Sequence, residues 1–298
     1  MKSNAWWRAL VTRIWLLILL MWAAGACAQS RILATPGAMQ LEGSAGGGLV
    51  PWAVIGSYAS EDEWGASAAL TAVQVNDFSL TQASVLLGFD ERWEVSYAHQ
   101  TLRLGNQGAA DLAQATAGAF PNLTIEQDIF GVKGRITGNL IYGALPQISA
   151  GLQYKINHNA DISTQVLGAR STRGVDYYVA ASKLYLDALW GRNILVNGTL
   201  RHSRANQLGL LGFGGDRNSA WMGEVSMAVL LNRHWAVGVE YRQKPDLLNS
   251  VREDAWADAF VAWFPSKRVT LVAAYADLGN IALWDAQRGW YLSLQINN

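Results

Sequence analysis

The sequence predicts an all-β protein, a transmembrane antiparallel β-barrel of about 12 strands, and three observations carry the prediction. The first is a period of two in short segments. Trp290, Leu292, Leu294 and Ile296 alternate with Tyr291, Ser293, Gln295 and Asn297. Trp235, Val237, Val239 and Tyr241 stand against Gly238, Glu240 and Arg242, and Ile148, Ala150, Leu152, Tyr154 and Ile156 against Ser149, Gly151, Gln153, Lys155 and Asn157. Successive strand residues face opposite sides, so one apolar and one polar face marks a half-buried strand. The second is an export-type N-terminus. The third is apolar content: 51% of the 298 residues are hydrophobic without counting 29 glycines, above an ordinary soluble domain. No run after the N-terminus resembles a transmembrane helix. Strands of a closed barrel place such residues against lipid, one in two.

The N-terminus has the three parts of a secretory signal. Lys2, Arg8 and Arg13 are basic, an apolar run starts at Ile14, and Ala26-Cys27-Ala28 is a small-residue cleavage site. Residues 1–28 are read as the signal, with cleavage after Ala28. The apolar run is shorter than the roughly 20 residues of a spanning helix. Lipidation at Cys27 is the alternative, and the preceding Ala24-Gly25-Ala26 lacks the usual leucine. Losing this segment removes the single cysteine and three basic residues, leaving a small negative excess. The exported chain therefore has no disulfide, and no basic excess points to nucleic acid.

Residues 29–49 form a glycine-rich segment ending Gly46-Gly47-Gly48-Leu49. It is read either as a plug tucked into the barrel or as a flexible leader. The barrel is expected over 50–298, with strands at 50–58, 66–76, 80–88, 91–103, 124–137, 147–158, 174–187, 192–204, 219–232, 234–244, 254–265, 268–278 and 289–297. That is an odd number where single-chain bacterial barrels use even ones. The segment 50–58 is the weakest, because Pro51 fits only a strand start or edge. Twelve strands is the reading, with 14 and an extra strand near 31–41 as fallback. Long connections at 104–122, 159–173, 205–218, 245–253 and 279–288 alternate with short turns for much of the chain, as when the long ones face outside the cell. Trp52, Trp93, Trp190, Trp221, Trp235, Trp256, Trp263 and Trp290, with Tyr58, Tyr142, Tyr185, Tyr241 and Tyr291, lie near strand ends and suggest interfacial girdles.

Charges fall largely on the less apolar faces. Asp216, Arg217, Glu240, Arg242, Asp254, Asp277 and Arg288 are the candidate lumen or mouth charges that orient a solute. Gly46, Gly47, Gly48 and Trp52 are the candidate constriction or plug. The alternative is a lumen closed by ion pairs. Of the four histidines, His99, His158, His202 and His234, none has a motif neighbour, and Ser96 and His99 fall on opposite faces. No enzymatic activity, metal or cofactor is expected.

Gly46-Gly47-Gly48-Leu49-Val50-Pro51-Trp52-Ala53, the run Gly209 to Asp216, Glu240-Tyr241-Arg242-Gln243-Lys244-Pro245-Asp246, Ala276 to Asn280 and Gln287 to Leu294 together resemble a bacterial family catalogued only as domain of unknown function 3034. The resemblance covers nearly all of the chain after the signal. It implies proteobacterial proteins with a signal peptide and an outer-membrane barrel, and it implies no activity. One departure is the end of the chain, Ile296-Asn297-Asn298, where outer-membrane barrels usually finish on an aromatic. The expectation is a channel or transport barrel for a small solute in the bacterial outer membrane. Outer-membrane lipid and lipopolysaccharide, the barrel-assembly machinery and the unknown solute are its expected partners. A non-conducting structural or surface-assembly barrel is the first alternative. A membrane-embedded lipid-modifying enzyme is the second, which would need a serine beside His99 or His202 near one membrane interface.

Overall fold

In the computed structural model, residues 31–115, 117–118, 123–159 and 161–298 are described. The expected signal segment, its cleavage site and Cys27 lie outside them. Strands β1 (Ala38–Met39) and β2 (Ala45–Gly46) form a small antiparallel pair. The remaining strands are β3 (Trp64–Gln74), β4 (Phe78–Phe89), β5 (Trp93–Leu104), β6 (Thr124–Thr137), β7 (Gln147–Asn157), β8 (Arg173–Leu189), β9 (Arg192–Ser203), β10 (Ala220–Leu230), β11 (Trp235–Arg242), β12 (Trp256–Ser266), β13 (Val269–Asp277) and β14 (Arg288–Asn297). Helices α1 (Asn106–Ala115) and α2 (Asp161–Gln165) lie in connections. Among the described residues, β3 to β14 each pair antiparallel with the next, and β14 pairs with β3, closing a 12-stranded barrel. Closure leaves no edge strand, which a lipid environment requires.

The alternation of the sequence becomes the two faces of the wall. On β14, Trp290, Leu292, Leu294 and Ile296 are exposed, while Tyr291, Ser293, Gln295 and Asn297 are buried in the lumen. Leu200, Val225, Val239 and Tyr275 continue the outward apolar belt on other strands. Trp64, Trp93, Tyr185, Trp235 and Trp263 mark one rim of the belt, and Tyr177, Trp221, Tyr241 and Trp290 mark the other. Trp235 and Trp263 sit on paired residues and stack at 5.6 Å. These girdles flanking an apolar band make the molecule an outer-membrane barrel. Four of the aromatics expected in the girdles are instead internal: Trp52, Tyr58, Trp256 and Tyr291 are buried.

The connections fall into two sets. Turns at 90–92, 190–191, 231–234 and 267–268, with the 138–146 loop, lie at the end where β3 begins and β14 finishes. At the two-residue turn after β8, Trp190 and Gly191 both have positive φ, 48° and 72°, which matches the twist of the flanking strands. The short link 75–77 and the longer connections that leave the strands at residues 105, 158, 204, 243 and 278 lie at the opposite end, as expected of the cell-exterior face.

A second departure concerns 50–58. No barrel strand forms there, nor at 31–41, and the barrel starts at Trp64 rather than at residue 50. The run Pro51-Trp52-Ala53-Val54-Ile55 is apolar because it is enclosed on every side, with Ala53 and Val54 fully buried. A strand facing lipid on one side would alternate.

The outward belt gives a direct test. Leu292→Arg, at mid-height on β14, should destabilise the barrel by about 2–4 kcal/mol in lipid vesicles, read by urea unfolding. Leu283→Arg, in the exterior 278–287 loop and 67% exposed, should change stability by less than about 0.5 kcal/mol.

Candidate functional site: the lumen and its internal segment

Residues 31–59 run inside the barrel. They enter at the short-turn end, where Arg31 lies 3.8 Å from Glu91 in the β4–β5 turn and the Tyr58 ring lies 5.9 Å from Lys267 in the β12–β13 turn. The chain climbs to a reversal around Glu42 and returns. It has almost no regular structure of its own, so its amides and carbonyls need outside partners. The barrel wall supplies them.

Glu94 on β5 accepts hydrogen bonds from the amides of Ala45 (3.1 Å) and Gly56 (2.8 Å). Lys133, 3.0 Å from Glu94, donates to the carbonyls of Ala45 and Trp52. Glu240 on β11 accepts from the amides of Gly48 and Leu49, both at 2.6 Å. Thr199 donates to the Pro51 carbonyl (2.8 Å), Gln147 and Ser149 donate to that of Ala53, and the Ala53 amide donates to Ser182 (2.8 Å). Gln295 on the last strand accepts from the Met39 amide (2.8 Å). Gly47 is required by this arrangement, since a Cβ there would overlap the Glu240 carboxylate. Trp52 fits between the segment and β10, its indole N–H donating to Ser226 at 2.6 Å.

The tip of the segment carries a charge. Glu42 is fully buried and its carboxylate meets Arg242 (2.8 Å), Arg201 (3.3 Å) and Lys155. The wall offers these three cations two carboxylates of its own. Asp176 lies 2.6 Å from Lys155 and 3.4 Å from Arg201. Glu224 lies 2.5 Å from Arg201 and 3.5 Å from Arg242. Below this ring towards the short-turn end, the β9–β13 side of the lumen is apolar, and a cavity of about 30 Å³ there is bounded by Trp52, Leu195, Ala228, Ala236, Phe260 and Val272.

The exterior end is covered by the glycine-rich run 205–215, which folds inward and is buried throughout. Gly209, at φ 103°, passes so close to Gln127 and Phe213 that no Cβ fits. Asn157 donates to the carbonyls of Gly209 and Leu210, and Gln127 to that of Leu208. A second tie joins three exterior loops. Glu253 accepts from the Gln207 amide at 3.1 Å on both oxygens. Lys244 donates to the Gln207 side chain (3.2 Å) and to the Asn280 carbonyl (2.9 Å). Burial, partly offset by Lys244 and the Gln207 amide, pushes the Glu253 carboxyl up to about 7. Burial, partly offset by Glu253 and Asp254, pulls Lys244 down to about 8.

The charges singled out in the sequence divide by depth. Glu240 and Arg242 lie in the lumen against the internal segment. Asp216, Arg217, Asp254, Asp277 and Arg288 lie at the exterior rim. There Arg217 pairs with Asp246 (3.5 Å), Asp254 with Arg252 (3.1 Å) and Asp277 with Arg288 (2.7 Å), and Asp216 accepts from the Asn249 amide. In all three pairs the arginine is more than half exposed and the carboxylate 41–47% exposed, so they hold the rim loops weakly. Glu42, Glu94, Asp176, Arg201 and Glu224 were missed. The last four sit on the inward face of alternating strands, and that pattern was the available signal.

On the outer surface, Asp128 accepts from Tyr97 and pairs with His99 and His158, each at 2.8 Å. A serine does stand beside His202 near the exterior rim: Ser219 and His202 Nε2 are 3.0 Å apart. The Trp221 ring lies 4.9 Å from the imidazole. Among the described residues, no carboxylate pairs with the other ring nitrogen of His202.

A family model described as "Protein of unknown function (DUF3034)" matches residues 35–295. No curated protein matches the chain. Similar solved structures are outer-membrane barrels. A KdgM porin shares 8% identity over 77% of this chain and 98% of its own, with a TM-score of 0.48. A NanC porin shares 10% over 78% and 98%, at 0.46. The COG4313 outer membrane channel from Pseudomonas putida F1 shares 8% over 81% and 97%, at 0.43. Likenesses this remote transfer no solute and no residue role.

The loop tie has a definite pH sign. With its carboxyl raised by burial, Glu253 holds the closed loops best when protonated. That contribution is complete below the ordinary carboxyl range near 4.5 and is lost as pH rises through about 7. Lys244 stays protonated across this window and adds no slope until about 8. Amide exchange in the 243–255 loop, corrected for intrinsic rates, should be slower at pH 5 than at pH 7.5 by on the order of tenfold. Glu253→Gln should flatten that dependence.

Proposed function

The chain belongs to the DUF3034 family of proteins of unknown function, so its role has to be read from its own residues, and we propose a plug-gated outer-membrane transport barrel for a small solute. Residues 31–59 are the plug, and passage requires their withdrawal from the lumen. The observation that carries this reading is the pairing pattern of the inner wall. Glu94, Lys133, Gln147, Ser182, Thr199 and Glu240 spend their hydrogen bonds on the backbone of one continuous segment. A barrel built only to be closed needs no such segment, because wall side chains can pair with one another across the lumen. Withdrawing this one would leave a wall of carboxylates, amides, hydroxyls and cations, a surface that water fills.

Both ends of the plug lie at the short-turn end, beside Glu91 and Lys267, so the exit route is towards the periplasm. The exterior loops tied by Gln207, Glu253 and Lys244 form a second gate. The filled lumen also suits a non-conducting structural barrel, which is the competing reading. The proposal assigns no catalytic step to Ser219 and His202. A nucleophile needs a base that is itself held in place, and His202 has only the serine and a ring neighbour.

Three forms of the refolded, heat-modifiable protein decide the matter in planar bilayers. The intact barrel should be largely silent. A variant lacking residues 31–59 should show steady ohmic steps. A variant with Ala53→Cys and Ser182→Cys, joined by a disulfide at a point where plug and wall touch, should stay silent until reduced. Silence from a correctly folded barrel without its plug would leave the structural reading.

A further inference from the structure

The plug ends in a chemical group that says what the lumen is built to hold. Glu42 presents a carboxylate to Lys155, Arg201 and Arg242, all three buried, and the wall returns only Asp176 and Glu224 to them. Without the plug the wall ring therefore has one more positive than negative charge. It is preformed: Asp176 and Glu224 fix Lys155, Arg201 and Arg242 from the sides, and the Arg201 side chain is further held by Gln153 (2.7 Å) and lies 5.2 Å from the Tyr178 ring.

A second observation points to a ligand. In the ring that Glu42 occupies, two buried donors, Arg201 Nη2 and Gln153 Nε2, have no hydrogen-bond acceptor, against one buried acceptor without a donor, Glu224 Oε2. Buried donors are nearly always satisfied. Arg201 Nη2 approaches Glu42 at 3.3 Å without a hydrogen bond. The ring thus offers more donors than the Glu42 side chain uses.

We propose that the ring of Lys155, Arg201, Arg242 and Gln153 is the solute site of the open barrel, that it takes a small carboxylate, and that Glu42 occupies it as an internal surrogate when the plug is seated. The proposal rests on the plug-gated reading above and names the solute class that reading leaves open. Solute and plug then compete for one set of cations. A carboxylate arriving at the ring favours the withdrawn plug, and loss of the solute favours its return, because a ligand shifts an equilibrium towards the state that it binds.

Chemical rescue of the full-length protein tests the site apart from conduction. Glu42→Ala removes the surrogate and should lower the thermal unfolding midpoint in detergent. Sodium acetate, titrated against chloride at constant ionic strength, should restore the midpoint. Acetamide, of similar shape and no charge, should not. Wild type should show no acetate shift, since Glu42 already fills the ring. Glu42→Gln, which keeps the volume and loses the charge, serves if the alanine variant does not fold, with the same expectation at smaller amplitude. In bilayers, current through the plug-deleted barrel should be anion-selective several-fold and should fall when benzoate is added. A folded Glu42 variant that acetate leaves unchanged overturns the carboxylate site even if the plug-deleted barrel conducts. Acetate rescue with a silent plug-deleted barrel overturns the gated reading, and the solute role with it. Equal passage of cations and anions with no benzoate block overturns the solute role while leaving the gate.

Discussion

Three cations buried in a barrel a few residues across must be neutralised, and Lys155, Arg201 and Arg242 are neutralised only when Glu42 joins Asp176 and Glu224. Desolvating an ion costs several kcal/mol unless a partner lies within contact distance. Within ion-pair distance of these cations, the wall alone falls one carboxylate short. Much of the architecture follows from that shortfall. The segment that carries Glu42 has to reach the ring, so residues 31–59 fill the lumen. Its backbone has to be satisfied on the way, so inward positions of neighbouring strands are amides, hydroxyls and charges rather than apolar side chains. The glycines 46–48 let the chain reverse beneath the ring, where the Glu240 carboxylate occupies the space that a side chain on Gly47 would need.

The barrel itself was legible because its rule is local. A strand with lipid on one side and a polar lumen on the other alternates with period two, and that period can be read without knowing any partner strand. The antiparallel succession of neighbours and the closure between β14 and β3 then follow from the even strand number. The interior was less legible because its rule is not local. Glu42 and Arg242 are 200 positions apart, and no spacing within the segment 29–49 marks its only acidic residue as the partner of cations on three different strands. The same difficulty explains the aromatics. Trp256 and Tyr291 sit near strand ends as girdle residues do, but parity places them inside, where Trp256 lies 5.4 Å from Lys244.

The segment 50–58 shows how the two rules collide. Its composition is that of a strand, yet its apolar residues do not alternate with polar ones, and Pro51 cannot donate to a ladder. The absence of alternation is the signature of a chain enclosed on all sides. Pro51 keeps its carbonyl, which Thr199 takes, while Ala53 supplies both an amide and a carbonyl to the wall. What looked like a weak first strand is the return limb of the plug.

Depth sorts the charges by what they can do. At the exterior rim, Arg217 with Asp246 and Arg288 with Asp277 are solvated, so they are worth little to stability and are free to rearrange when the loops move. In the ring the same kinds of group are held in low dielectric, where removing one partner leaves a charge that neither water nor protein answers. A rim pair can therefore open without consequence, but the ring has two acceptable conditions: occupied by the plug, or reached by water and by another anion. An element with two discrete satisfied arrangements is what a gate requires. In this barrel it is made of one carboxylate that belongs to the moving part and three cations that do not.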